Sequence, residues 1–441
     1  MLTRRHARIR ERVVRAVVAA CVLVGVAGSS TSSEMRRGKP ARPLSRDGEV
    51  ATRLDCPADA RPAADNKVEI EALLSELDPT SRQAAEAVPI LLAALRDSET
   101  DATLRERSAA MLSRIREPAR AAVPVLIGIL EQSGKTLSPV SAGAGANAVS
   151  TAQNTSYWTM KSLGRFGDVA ADAVPSVARF LRSSETSPQL RVLAADTLGQ
   201  IRSSRAIGVL TAELMKPRRS NDYESIVLRQ TIIDGVALAG PLAVGAIPAL
   251  GRATEDDNAD VRRKACDALG ALGSRAEGAM NSLLERLILD DDAAVQDAAA
   301  NALVQVGQPA VESLVDLLER GGPELQWRAA NALGQVGAAA KPAVDSLKLA
   351  FGSPSAQVRI EAIDAVWKIS RDPRAVAAAL VKTLSESDRQ VRRRAAGMLV
   401  ELEPLPRETL VALSDLAASG NTSERRAAEY VIRERSRRAD Q

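Results

Sequence analysis

The chain has 441 residues, of which 45% are apolar, yet it contains only nine aromatic residues. Its 59 lysines and arginines against 55 aspartates and glutamates give a formal net charge of +4. Six arginines and one glutamate lie within residues 1–28, so the remainder carries 53 basic and 54 acidic residues, a net charge of −1. This balance, with so few rings on which bases could stack, argues against a nucleic-acid-binding protein, which needs a basic surface.

Residues 1–28 have the composition of an export signal. Six arginines lie between Arg4 and Arg15, and an uncharged apolar run follows from Ala16 to Gly28. This run is too short to span a bilayer, which takes about 20 residues, but it fits the hydrophobic region of a secretory signal peptide. We therefore expect cleavage near Ser29 and export to the periplasm, the cell envelope or the medium of a bacterial cell.

Two alternatives for this leader stay open. An uncleaved anchor over residues 13–28 would hold the protein at a membrane, and it is the one route by which the sequence predicts membrane contact. The segment Val18–Cys21 also resembles a lipoprotein box, although the apolar run continues past the cysteine.

Three segments lack the helical pattern found elsewhere. Residues 29–65 are rich in proline and charge, which predicts a disordered linker. Residues 131–154 are dominated by glycine, serine and alanine, which predicts a flexible surface insertion. A smaller insertion is predicted at Lys216–Tyr223, and residues 437–441 are expected to form a tail.

Between residues 66 and 436 a thirteen-residue pattern recurs about every 33 residues. Its clearest copy, VRRKACDALGALG, starts at Val261. The other copies start at Val68, Leu104, Thr155, Leu190, Leu228, Val295, Leu325, Val358, Val391 and, for a terminal half-unit, Ser423. Self-similarity at this period is typical of a solenoid, in which each repeat buries its apolar face against its neighbours.

Each copy predicts an amphipathic helix. With the first residue of a copy numbered position 0, the apolar residues of the clearest copy stand at positions 0, 4, 7, 8 and 11, which form one helical stripe. A second apolar helix follows, as at Ala279–Leu289. Proline is expected to open this second helix at Pro89, Pro124, Pro175 and Pro248. The expected fold class is all-α: a right-handed α-solenoid, or superhelix, of about ten helix-turn-helix repeats.

Two positions of the repeat predict the core. Position 8 is leucine or valine, and position 4 is mostly alanine, whose small side chain lets helices of adjacent repeats approach closely. The position-8 residues are Leu112, Leu163, Leu198, Val236, Leu269, Leu303, Leu333, Val366, Leu399 and Val431. The position-4 alanines are Ala194, Ala265, Ala299, Ala329, Ala362, Ala395 and Ala427.

Two polar positions recur beside this core. Position 1 is arginine at Arg105, Arg191, Arg229, Arg262, Arg359 and Arg392. Position 6 is acidic or amide at Asp196, Asp234, Asp267, Asn301, Asn331 and Asp364. Equivalent positions of stacked repeats lie next to each other, so we expect both rows to run along the solenoid and to form hydrogen bonds and ion pairs between repeats. An acidic row that binds a ligand is the alternative.

The sequence offers little for catalysis or metal binding. Its one histidine, His6, lies in the leader, so the remaining chain has no Ser-His-Asp set and no histidine ligand for zinc or iron. Cys21, Cys56 and Cys266 are too few and too scattered for a disulfide framework or a thiolate metal site. Residues 290–292, all aspartate, lack the ligand spacing and glycine of a calcium loop. We therefore predict no catalytic residue, no cofactor and no metal.

The pattern V-R-x-x-A-x-x-A-L-G-x-x-G, followed by a short link and A-x-P-x-L, resembles HEAT repeats of the subgroup named after phycobilisome lyases. The resemblance covers roughly residues 66–436. It implies a solenoid of HEAT-like repeats but no single activity, since such repeats occur in scaffolds, adaptors and a few enzymes. Deoxyhypusine hydroxylases, built on similar repeats, hold iron with His-Glu pairs, and this sequence has no such pair.

The sequence favours a non-catalytic, exported scaffold that binds a protein or peptide along the concave face of the solenoid. A lyase-like or cofactor-attachment enzyme and a structural element of a cell-envelope assembly are the alternatives. The sequence does not identify the binding residues. Trp158, Trp327 and Trp367 depart from the repeat pattern and are candidates, although packing between repeats is the interpretation that we favour for them.

Overall fold

The structure, a computed structural model, describes residues 63–79, 81–97, 100–115, 122–137, 146–216 and 222–439. These residues form helices and connecting turns, and they contain no β-strand. No helix among them is long and apolar enough to cross a bilayer. The leader and almost all of the linker lie outside the described residues, so cleavage, anchoring and linker disorder stay predictions.

The helices alternate between two kinds along the chain. Odd-numbered helices carry the thirteen-residue pattern and are called first helices: α1 Ala63–Glu76, α3 Ala102–Ile115, α5 Ala146–Phe166, α7 Pro188–Ile201, α9 Tyr223–Leu238, α11 Ala259–Ala271, α13 Ala293–Val306, α15 Pro323–Val336, α17 Ala356–Ser370, α19 Arg389–Glu401 and α21 Thr422–Ala439. Even-numbered helices are called second helices: α2 Arg82–Arg96, α4 Val123–Thr136, α6 Val174–Arg182, α8 Ser204–Leu214, α10 Ile247–Ala253, α12 Met280–Leu289, α14 Val311–Arg320, α16 Val344–Leu349, α18 Pro373–Thr383 and α20 Arg407–Ser419. This alternation confirms the expected all-α solenoid.

The chain divides into two compact units. Of the described residues, those between 63 and 136 and those of 146–162 belong to the first unit, and residue 137 and those between 163 and 439 belong to the second. In each unit a helix packs against the helix that follows it and against the helix of the same kind in the next repeat. These nearest-neighbour contacts are the packing that a repeat protein requires.

The core follows the predicted register. All ten position-8 residues, from Leu112 to Val431, have no exposed surface. The position-4 alanines are equally buried, with the exception of Ala427, which is half-buried. Ala427 lies on α21, which packs against α19 and α20 without a further first helix on its other side among the described residues.

Several boundaries differ from those expected. Residues 131–136 complete α4 and residues 146–154 begin α5, so helix covers both ends of the expected flexible insertion. Alanine and glutamine in the second stretch favour helix once the repeat has nucleated it. Residues 437–439 extend α21 rather than forming a tail, and α1 begins at Ala63, within the expected linker.

Pro89 does not open its helix. It lies inside α2, which begins seven residues earlier, at Arg82. The turns before the proline carry Ala84, Ala87 and Val88, all of which are buried. Their burial keeps this stretch helical despite the hydrogen bond that an internal proline removes. At Pro124, Pro175 and Pro248 the proline does stand in the first helical turn, as expected.

Glycine at position 12 makes the turn between the two helices of a repeat. Gly273 has a φ of +60°, and a positive φ recurs at Gly167, Gly240, Gly307 and Gly337. A 3-10 segment, Gly273–Ala279 in this repeat, then leads to the second helix. This segment is the reason that α12 begins at Met280, one residue later than expected.

Glycine at position 9 lets a first helix approach the next first helix closely, and from α7 to α17 this occurs at every second interface between them. A Cβ added to Gly199 would lie 2.5 Å from the Cα of Gly235, and one added to Gly334 would lie 2.9 Å from the Cα of Ala365. Gly270 faces Ala302 in the same way. The pairs α7/α9, α11/α13 and α15/α17 are accordingly the most tightly packed first helices in the second unit.

Candidate binding surface

The first helices form the inner row of the second unit. Successive first helices, from α7 to α21, pack closely on one another, whereas successive second helices touch only sparsely. Two joined rows with unequal spacing curve toward the row with the closer spacing, so the first helices line the concave side of this unit. Side chains at positions 2, 3 and 6 of these helices therefore make up the inner face.

The arginines at position 1 join the connecting turns. Arg262 donates from Nε and Nη2 to the carboxylate of Asp290, at 2.8 Å each, and from Nη1 to the backbone carbonyl of Asp256 at 2.9 Å. One buried guanidinium thus ties the turn before its repeat to the turn after it. We call an arginine in this position a turn-clamp arginine.

Electrostatics favour the charged form of this buried pair. Burial alone would raise the pKa of Asp290, but hydrogen bonds from Arg262 and from the Asp292 amide, with the charge of Arg286, outweigh it and lower the pKa. The hydrogen bond to Asp290 in turn raises the pKa of Arg262. Asp290 therefore serves as the partner of Arg262, and Asp292 caps α13 by accepting the amides of Ala294 and Val295.

The other turn-clamp arginines of the second unit fall into two groups. Arg229 and Arg359 each bind a carboxylate of the following turn, at 2.9 Å to Asp256 and Glu386 respectively. Arg191 binds only the backbone carbonyl of Leu181, at 3.3 Å. Arg392 likewise binds carbonyls of the preceding turn, at 2.7 Å to Ser387. The described residues place no carboxylate against Arg191 or Arg392.

The residues at position 6 pair with position 3 of the next first helix. Lys264 on α11 binds Asp234 on α9 at 2.7 Å. Arg394 on α19 binds Asp364 on α17 at 2.7 Å, and its hydrogen bonds to the buried Glu361 raise the pKa of the guanidinium. The expected inter-repeat ion pairs are therefore present, but each polar row pairs with position 3 or with a turn rather than with the other row.

This ladder is interrupted in the middle of the unit. Asp267 on α11 faces position 3 of α13, which is Ala298 and offers no donor. Asn301 on α13 faces Arg328, which binds Asp297 instead. Both Asp267 and Asn301 are exposed, and no hydrogen bond or ion pair to a described residue involves either. Partial burial raises the pKa of Asp267, against the opposing charges of Arg263 and Lys264.

An aromatic ring lies beside this interruption. Trp327 on α15 is half-buried, its Nε1 donates to Glu324 at 2.9 Å, and the Arg328 guanidinium lies 4.9 Å from the ring centroid. Trp158 and Trp367 are also half-buried, so packing leaves all three rings partly accessible. We call Asp267, Asn301, Trp327 and Arg328 the central inner patch. The sequence offered Trp327 and the position-6 row as separate candidates, but it did not predict their combination, because the gap in the ladder depends on which side chains face each other.

The described residues bring together no site of metal-binding type. No group of three or more histidine, cysteine, aspartate or glutamate side chains among them could hold a metal ion. Cys266 is a free thiol that is fully buried, and this burial raises its pKa to about 12. Such a thiol stays protonated and unreactive at neutral pH.

The arginine-rich helix α21 binds the C-terminal end of α19. Arg435 on α21 donates to the backbone carbonyls of Leu399, Val400 and Leu402, at 3.1, 3.1 and 2.6 Å. A cation near the last carbonyls of a helix satisfies acceptors that lack an intrahelical donor. Arg435 therefore caps α19.

Comparison with known proteins supports the repeat assignment. Residues 218–303, 280–353 and 344–433 match the family of HEAT repeats, so this part of the chain consists of HEAT repeats. No curated protein matches the sequence. Among solved structures, the chain is similar to karyopherin Kap121p, with 14% identity, a TM-score of 0.44, and coverage of 84% of this chain and 44% of that chain.

Two further solved structures resemble the chain. One is Kap121p bound to the extreme C-terminus of the protein phosphatase Cdc14p, with 14% identity, a TM-score of 0.44 and coverage of 84% and 44% of the two chains. The other is the Pds5–Scc1 complex, with 13% identity, a TM-score of 0.36 and coverage of 84% and 68%. The present chain spans less than half the length of the Kap121p chains that it matches.

Proposed function

We propose that this HEAT-repeat solenoid is a non-catalytic scaffold that binds an extended segment of a partner protein on the inner face of its second unit. The interrupted ladder at Asp267 and Asn301 carries the proposal. At Asp234 and Asp364 the position-6 carboxylate already has a cation from the next repeat. At the central inner patch the position-6 residues are Asp267 and Asn301, and no described residue forms a hydrogen bond or ion pair with either. They can therefore bind donors and acceptors from another chain.

The chemistry of the patch suits a peptide. A carboxylate that is partly desolvated gains from hydrogen-bond donors, and a backbone N–H or a cationic side chain supplies them. Asn301 offers both a donor and an acceptor to a peptide main chain. Trp327 adds an aromatic surface with a polar handle, the residue type most often found at the energetic centre of an interface.

Site-specific cross-linking tests the location of binding. A photo-reactive residue at position 301 should cross-link to a partner protein in the native host, because this position lies on the inner face. The same residue at position 316, an exposed aspartate on the second helix α14, is the matched control. Equal cross-linking from both positions would contradict the proposal.

The partner identified in this way allows a quantitative test. With purified components, Asp267→Arg or Asn301→Arg should weaken binding by about tenfold or more, since each places a bulky cation in the patch. Asp316→Arg makes the same type of change on the outer row and should alter the affinity by less than about twofold. Comparable losses in all three variants would show that binding depends on net charge and not on the patch.

Export is part of the proposal. Peptide mass spectrometry of the protein from its native host should find an N-terminus near Ser29 in a non-cytoplasmic fraction. An intact Met1 or Leu2 start in the soluble cytoplasm would contradict it.

The finer assignment to the phycobilisome-lyase-type subgroup also stays a proposal, and it rests on the V-R-x-x-A-x-x-A-L-G-x-x-G pattern. Cofactor attachment through the thiol of Cys266 is disfavoured, because that side chain is buried and stays protonated. Cys56 lies outside the described residues. The repeat pattern therefore supports the architecture of that subgroup more directly than its chemistry.

A further inference from the structure

A cavity of about 390 Å³ lies near the connecting turns of the second unit, among the end of α6 and the helices α7 to α10. Five cationic side chains and three carboxylates line it. Two of the cations are paired inside the cavity wall, Arg229 with Asp256 at 2.9 Å and Lys216 with Glu213 at 2.6 Å. The other three cations are Arg182, Arg191 and Arg252, and the excess of cationic side chains over carboxylates gives the cavity a positive character.

Arg191 is the informative member of this wall. It is a turn-clamp arginine, and at Arg262 and Arg359 the edge formed by Nε and Nη2 binds a carboxylate of the following turn. At Arg191 the Nε atom donates to the Leu181 carbonyl, and no described carboxylate meets the guanidinium. The side chain lines the cavity together with Arg182 and Arg252.

The repeats themselves show which ligand fits such an arginine. Wherever the clamp is complete, as at Arg229, Arg262 and Arg359, the partner is a carboxylate held by two nitrogens of the guanidinium. Paired contacts of this type are geometrically specific for a planar anion. Leu228 and Ile232 provide an apolar part of the same wall, which suits the aliphatic stem of an acidic side chain.

We propose that this cavity binds a glutamate or aspartate side chain from an acidic segment of a partner protein, with Arg191 as the anchoring cation and Arg182 and Arg252 beside it. The proposal rests on the proposed function, in that the ligand belongs to a protein. It adds a second contact point, of stated chemistry, near the turns and away from the central inner patch.

The test measures binding of a fluorescein-labelled hexaglutamate peptide with an amidated C-terminus to the purified protein, by fluorescence anisotropy. A labelled hexaglutamine peptide is the ligand control and should not bind. Arg191→Gln should weaken hexaglutamate binding by about tenfold or more, since it removes a charge-assisted contact. Arg320→Gln removes the same charge from an exposed site on the second helix α14, outside the cavity and off the inner face, and it should change the affinity by less than about twofold.

A second variant leaves every arginine in place. Ser225 lines the cavity near the start of α9, where a carboxylate is compatible with the helix. The Ser225→Glu variant should place a carboxylate of the protein itself inside the cavity. It should therefore weaken hexaglutamate binding as strongly as Arg191→Gln does. Thermal unfolding followed by circular dichroism establishes that this variant is folded, so that loss of binding reports on the cavity.

Three outcomes would overturn the proposal: no binding of hexaglutamate to the unmodified protein, equal affinities of the Arg191→Gln and Arg320→Gln variants, or no effect of Ser225→Glu. Displacement of the peptide by inorganic phosphate but not by acetate at equal ionic strength would also overturn it, because the cavity would then be a phosphate site. Cross-linking at position 301 does not depend on any of these results, so failure here is distinguishable from failure of the proposed function.

Discussion

Leu269 and Leu333 stand at position 8 of two well-formed repeats, and neither has exposed surface. Leu269→Ala or Leu333→Ala should lower the free energy of unfolding by about 2–5 kcal/mol, through lost burial and the cavity left behind. Leu349→Ala is the control, because Leu349 is 79% exposed, and it should cost less than about 0.5 kcal/mol. Chemical denaturation measures all three, and losses below about 1 kcal/mol at both buried sites would contradict the register.

Asp290 and Asp291 both bind Arg262 at 2.8 Å, but their side chains are 0% and 92% exposed, respectively. Asp290→Asn should therefore cost about 3–5 kcal/mol at neutral pH, since it leaves a buried guanidinium without its counter-charge. Asp291→Asn removes a solvent-exposed partner and should cost less than about 1 kcal/mol. Equal destabilisation by the two substitutions would show that burial does not set the strength of this clamp.

The same pair predicts a pH dependence. The folded-state pKa of Asp290 is lowered, so its ionised form stabilises the fold above the unfolded-state pKa of about 3.9. That stability is lost as the pH falls through the lowered folded-state pKa. Unfolding measured between neutral and acidic pH should show the difference between the unmodified protein and Asp290→Asn shrinking below about pH 4. A difference that stays constant over this range would contradict the assignment.

At the scale of the helices, glycine decides how closely first helices approach. A Cβ at Gly199 would lie 2.5 Å from the Cα of Gly235, which forces α7 and α9 apart. Gly199→Ala should therefore destabilise the protein by about 1–3 kcal/mol. Thermal or chemical unfolding measures the change.

Gly208 provides the matched control for this substitution. It lies inside the second helix α8, where an added Cβ meets nothing within 4 Å. Gly208→Ala should stabilise the protein by about 0.5–1 kcal/mol, because alanine loses less conformational entropy in a helix. Destabilisation by both substitutions would refute the role assigned to the Gly199 contact.

At the scale of the whole molecule, composition governs what the solenoid can bind. The chain beyond residue 28 has no histidine, two cysteines and a net charge of −1. We expect the purified protein from residue 63 onward to hold no stoichiometric transition metal, and to bind duplex DNA at physiological salt with a Kd of about 10⁻⁴ M or weaker. Elemental analysis and a filter-binding assay test these expectations. One equivalent of iron or zinc, or a sub-micromolar Kd for DNA, would reopen the enzyme and nucleic-acid alternatives.

The sequence alone determined the helical repeat and its buried register, because both are local. Apolar residues at positions 0, 4, 7 and 8 must share one face of a helix, and that face must be buried. The ten position-8 residues followed this rule without exception. Helix ends were less predictable: alanine-rich residues near 150 looked like a loop, and Pro89 looked like a helix start, because both depend on how neighbouring turns are packed.

Only the tertiary structure decided which polar residues are available to a partner. Position 6 looks the same at Asp234, Asp267 and Asp364, yet Lys264 and Arg394 neutralise two of these carboxylates and Ala298 leaves the third exposed. In the same way Arg191 and Arg262 occupy one position of the repeat, but only Arg262 meets a carboxylate of the next turn. A side chain's partners come from residues about 30 positions away, and periodicity within one helix carries no information about them.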